Sequence, residues 1–121
     1  MTEQQLLQRT KVYALRVVRL TEALPKTTTT GIIGKQLLRS GTYVGANYRA
    51  ARRAKSPAEF IAKMGIVEEE ADETLYWMEM LIELGIVKES RLTELMRKGN
   101  EIVAMTVASI HTTKTRMGGN R

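Results

Sequence analysis

Cysteine is absent from these 121 residues, which removes both a disulfide framework and any thiolate metal site. Proline occurs only at Pro25 and Pro57, a scarcity that leaves room for long uninterrupted helices. The start, MTEQQLLQRT, has no apolar signal-peptide core, and no apolar run approaches the ~18 residues of a membrane span. A cytoplasmic protein without membrane contact is the expectation. Histidine is nearly missing as well: His111 stands alone, near the far end of the chain. No Ser/His/Asp set has a plausible setting, and Gly31–Lys35 (GIIGK) lacks both the spacing of a phosphate loop and a strand before it.

What is present is helical periodicity. From Ser56 to Leu84 the chain reads as one long helix: Ser56 as cap, Pro57 at the first position, Glu59 to complete a capping box, Gly85 to terminate. At 100° per residue, Phe60, Met64, Val67, Ala71, Thr74, Met78 and Leu81 form one stripe. Ile66, Trp77, Met80 and Leu84 form a second. A helix apolar over so wide an arc must contact neighbours on two sides.

Three further helices follow from the same spacing, at about residues 2–24, 30–54 and 90–112, with the organising helix at 57–84. Short connections make consecutive helices antiparallel, so the fold class is all-α, an up-down-up-down four-helix bundle over residues 1–112. Residues 113–121, polar, basic and glycine-containing, read as a disordered tail. The second helix carries Gly41 and Gly45 in its interior, each costing about 1 kcal/mol there. They signal either close helix approach or a break near Gly41.

Charge is unevenly spread. Residues 56–84 hold eight acids against one lysine, while the remaining chain carries eighteen Lys/Arg against five acids. No acid occurs between Glu22 and Glu59. Lys35, Arg39, Arg49 and Arg53 share one face of the second helix, with Arg52 beside them; Arg9, Arg16 and Arg19 share a face of the first. Such cations can grip the phosphates of RNA or DNA, or meet the acidic third helix of a neighbouring subunit. Aromatic residues near them are few, which argues against base stacking.

Glu70 and Glu73 fall inside the second stripe, between Ile66 and Trp77. Paired carboxylates can serve metal or acid/base chemistry, but the bundle metal motif needs Glu-x-x-His, and the histidine is missing. Structural pairing with an arginine or asparagine across helices is the better reading. No cofactor, metal or catalytic residue is expected.

The segment RSGTYVGANYRAARRAKSPAEFIAKMGIVEEEADETLYWMEML resembles the four helix bundle protein family, small bacterial proteins related to those encoded in 23S ribosomal RNA intervening sequences. The resemblance rests on Arg39 to Asn47, on Phe60 and Lys63, on Glu70, Ala71, Glu73, Thr74, Tyr76 and Trp77, and on Gly34 to Leu37. It spans about residues 10–110. It implies a four-helix bundle assembling as a ring-shaped homopentamer, without enzymatic activity. In one related group, accessory to diversity-generating retroelements, a basic surface helps bind nucleic acid and a reverse transcriptase. A reverse transcriptase or another acidic protein is therefore an implied partner. The resemblance also implies a structural role for Glu70 and Glu73 as a polar core, paired with Arg39 or near Asn47. The family commonly has Glu shortly after that asparagine, where this chain has Tyr48, Arg49 and Ala50, and Lys where it has Glu69. The second helix is thus more basic than is usual.

Overall fold

Threonine and serine open three of the four helices. In the computed structural model, which describes residues 2–119, Thr2 and Gln5 cap α1 (Glu3–Ala23) reciprocally, and Thr27 and Thr30 do the same for α2 (Thr28–Arg52). Ser56 Oγ accepts from the Glu59 amide at 3.1 Å to start α3 (Pro57–Glu83). The expected box is incomplete, because the Glu59 carboxylate reaches past Ser56 to the Lys55 amide. Gly85 ends α3 in the left-handed region at φ 72°, and the amides of Gly85 and Ile86 bond back to Ile82 and Leu81.

α4 (Glu89–Gly119) is the longest element and corrects the expected tail. Residues 113–119 continue the helix, since neither proline nor glycine interrupts the chain between Asn100 and Met117. Thr113 Oγ1 donates to the Ser109 carbonyl one turn back. His111 accordingly lies within a helix and not at its end. Asn120 and Arg121, the last residues of that expected tail, lie outside the described residues.

The order is up-down-up-down, with α1 against α2, α2 against α3 and α3 against α4; α4 returns to α1 more loosely. Among the described residues the backbones of diagonal helices do not come into contact. The core between them is fully buried at Tyr13, Val17, Leu37, Val44, Met64, Met78, Leu81 and Ile102. The inward stripe expected of α3 is the one observed, with Phe60 half-buried at its start and Leu75 added to it. Among the described residues no helix is long and apolar enough to cross a membrane.

α2 meets its two neighbours by different means. Toward α1, a Cβ at Gly41 would lie 2.6 Å from Val17 Cγ1, and one at Gly45 would lie 3.3 Å from the Thr10 carbonyl oxygen. The glycines therefore mark close approach, and α2 is unbroken. Toward α3, Thr74 Oγ1 donates to Ser40 Oγ at 2.9 Å in the buried interior.

Candidate nucleic-acid interface

The arginines of α2 divide by helical angle into two environments. Arg39 projects toward the outer edge of α3, where Glu70, Glu73 and Trp77 recur at helical spacing. Its Nη1 donates to both oxygens of Glu70, at 3.0 and 3.3 Å, and its Nη2 donates to Glu73. Trp77 Nε1 donates to the same Glu73 carboxylate at 3.0 Å, and the guanidinium lies 5.6 Å from the Tyr43 ring centroid. Burial of Glu73 favours its neutral form. The hydrogen bonds from Trp77 and Arg39, with the guanidinium's charge, outweigh that and hold the carboxyl below its ordinary range.

The two carboxylates are thus held by an arginine, as one sequence reading expected. Asn47 is not part of this cluster: its Nδ2 donates to the Tyr43 carbonyl of its own helix at 2.9 Å. A side chain at residue 47 leaves α2 one position off the line that meets Glu70. Arg39, with its donors engaged by α3, is not a free cation for phosphate.

Arg49, Arg52 and Arg53 occupy the other environment. They line a groove of about 710 Å³ between α1 and α2, opposite Gln4, Gln8 and Lys11 of α1. Gly45 and Ala46 form part of its floor, so the close approach that Gly45 permits also shapes the groove. Arg52 Nη2 stands 3.7 Å from Glu3 Oε2. Among the described residues, Lys11, Arg49 and Arg53 have no carboxylate within ion-pair distance. The acids of α3 cannot neutralise them because α2 stands between.

The remaining expected cations lie elsewhere. Arg9 pairs with Glu101 of α4 at 3.2 Å, and Arg16 borders the same α1–α4 seam. Arg19 follows Arg16 on α1 at helical spacing and is exposed. Lys35 sits toward the α1–α2 turn, fourteen residues and roughly 21 Å along α2 from Arg49. The eight residues singled out from sequence are therefore not one surface. Lys11, which the sequence reading missed, belongs with Arg49, Arg52 and Arg53. Its signal is its place seven residues after Gln4, but only the α1–α2 contact shows which face of α1 that spacing lines.

A second exposed feature runs along the outer edges of α2 and α3. Ile32, Tyr43, Ile66, Tyr76 and Leu84 remain exposed there, Tyr43 at 48% and Tyr76 at 52%. Arg39 and its carboxylates lie within this apolar strip.

The comparisons agree with this architecture. The chain is similar to a crystal structure from Bacteroides thetaiotaomicron, a protein of unknown function from the S23 ribosomal protein family. The two share 33% identity and a TM-score of 0.85, over 92% of this chain and 99% of that one. No functionally curated protein matches the chain. The model of the family described as 23S rRNA-intervening sequence protein matches residues 2–108. That match takes in α1, α2, α3, the first twenty residues of α4, the α2 glycines and the Arg39 cluster, and the chain belongs to the 23S rRNA-intervening sequence protein family.

Proposed function

We propose that this protein is a non-catalytic, homo-oligomeric bundle of the cytoplasm that binds nucleic acid by its phosphates in the α1–α2 groove. The observation that carries the reading is the set Lys11, Arg49 and Arg53, cations without an acidic partner, converging with Arg52 on one concave surface. Uncompensated cations in a groove concentrate positive potential and attract polyanions. Self-association is supported by the large apolar side chains left exposed on the outer edges of α2 and α3, since exposed apolar surface can mark contact with another protein. A ring of five subunits is what the sequence resemblance implies.

The same strip favours a second reading. In it the protein is a scaffold or accessory subunit for another protein, such as a reverse transcriptase, without direct nucleic-acid contact.

Binding of purified protein to labelled RNA and DNA across a salt series, with oligomer mass measured in parallel, separates the two. The first reading expects affinity to fall steeply with salt at constant oligomer mass. The double variant Arg49→Glu/Arg53→Glu should weaken binding about tenfold or more and flatten the salt dependence by roughly two phosphate contacts. No binding at low salt would reject the nucleic-acid reading. Dissociation of the oligomer by the same variant, with affinity retained, would move these arginines to a subunit interface.

A further inference from the structure

This inference rests on the reading just given and specifies its ligand. The groove that holds Lys11, Arg49, Arg52 and Arg53 contains no aromatic residue. Modules that bind single strands use aromatic rings as stacking platforms, worth about 1–3 kcal/mol per base. This chain's rings are committed elsewhere. Tyr13 and Tyr48 are buried, Trp77 is bonded to Glu73, Phe60 packs against the core, and Tyr43 and Tyr76 lie on the outer α2–α3 face. Polar donors line both walls of the groove instead: Gln4, Gln8 and Lys11 from α1, Arg49 and Arg52 from α2, and Arg53 at its C-cap. Such walls can engage two phosphate rows at once, as a duplex presents them, without access to any base.

The positive surface does not stop at the groove. α2 ends at Arg52, and the turn that follows carries Arg53 and Lys55. Lys55 lines a depression shared with Arg116 of α4 and with Glu3, whose charge is met by Arg52, where the α4 end passes the α2–α3 turn. From Ile102 onward the chain has no acid, and Arg116 is exposed on the last turns of α4, beside the start of α3. At 31 residues α4 runs about 46 Å, against about 40 Å for the 27 residues of α3 beside it. The last turns of α4 add a cation at the end of the bundle where the groove opens.

We infer that the groove takes double-stranded nucleic acid, held by its phosphates alone, and that Arg116 at the end of α4 is a second anchor for the same duplex. The lining is a concavity that sends no helix or ribbon into a duplex groove, so its arginines and glutamines meet phosphates and not base edges, and affinity is insensitive to sequence. A-form and B-form duplexes share the phosphate chemistry, and both are probed.

The test is fluorescence anisotropy of the full chain with an RNA duplex, a DNA duplex and a single strand, each of about 20 nucleotides per strand. Titrations span about 50 to 200 mM salt. The expected result is at least one duplex bound about tenfold more tightly than the single strand. Equal or tighter binding of the single strand would overturn the duplex assignment and leave the nucleic-acid reading standing. Failure of every probe to bind would reject that underlying reading itself. The variant Arg116→Glu should reduce the slope of log affinity against log salt by about one, as one lost phosphate contact requires. An unchanged slope and affinity would remove α4 from the site. Arg116→Gln, with its helicity checked by circular dichroism, should reduce the slope in the same direction and serves if the reversed charge disturbs folding.

Discussion

Arg39 and Arg49 are the same residue type on the same helix, ten positions apart, with opposite surroundings. Arg39 meets two carboxylates, an amide oxygen and an aromatic face. Arg49 lines an open groove whose other wall offers only neutral side chains and Lys11, with Glu3 beyond at the end of α1. The difference lies in the facing helix. α3 brings Glu70 and Glu73 to its α2 edge, whereas α1 brings Gln4, Gln8 and Lys11. An arginine whose charge is matched is part of the fold; one left unmatched can serve a ligand.

The largest effect that could break this comparison comes from Arg39→Met. It strands two partly buried carboxylates, and we expect a loss of about 2 kcal/mol, between the values for exposed and buried pairs. Arg49→Met should stay within about 0.5 kcal/mol of the parent. Urea denaturation of both variants measures the difference, and equal costs would erase the distinction drawn here.

Next in size is the contrast between the glycines. Gly41→Ala forces a methyl group into Val17, at a cost that overpacking puts at ~1–3 kcal/mol, reduced by the ~1 kcal/mol of helix propensity gained. A net loss of about 1 kcal/mol is the expectation. Gly65→Ala on α3 meets nothing within 4 Å and should raise stability by about 0.5–1 kcal/mol. Opposite signs in thermal melts would separate a glycine needed for approach from one that is not.

The smallest effect is a pH dependence. Glu73 titrates lower folded than unfolded, so its contribution is present above the ordinary glutamate value of 4.5 and is lost as pH falls through the depressed folded value. Because the group is about one-third exposed, that contribution should stay below about 1 kcal/mol. Arg39→Met should lose less stability than the parent does on acidification below pH 4.5, measured by melts between mild and strong acid. Parallel curves would show that the ion pair contributes nothing to the acid response.

Much of this was readable in order along the chain. Apolar residues at helical spacing gave α3 its buried stripe, and Ser56, Pro57 and Gly85 marked its ends within a residue. Glu70 and Glu73 could be recognised as structural because carboxylates inside an apolar arc require a partner and the histidine of a metal motif is missing. Less well read were features that depend on which faces meet. The family resemblance put Asn47 near the polar core, but its amide closes on its own helix, and Ser40 with Thr74 makes the buried polar contact instead.

The sequence by itself determined the four helices, their short connections and the segregation of charge, because periodicity, caps and breakers act within a few residues. The tertiary structure alone decided which arginines are matched and which are free. Ion pairing depends on side chains 31 and 34 positions apart, such as Arg39 with Glu70 and Glu73, meeting within a few ångströms. It likewise decided that Lys11 shares a groove with Arg49, through the close contact of Gly41 and Gly45 with α1. Helix periodicity fixes the angle of each side chain about its own axis; only packing fixes what stands opposite.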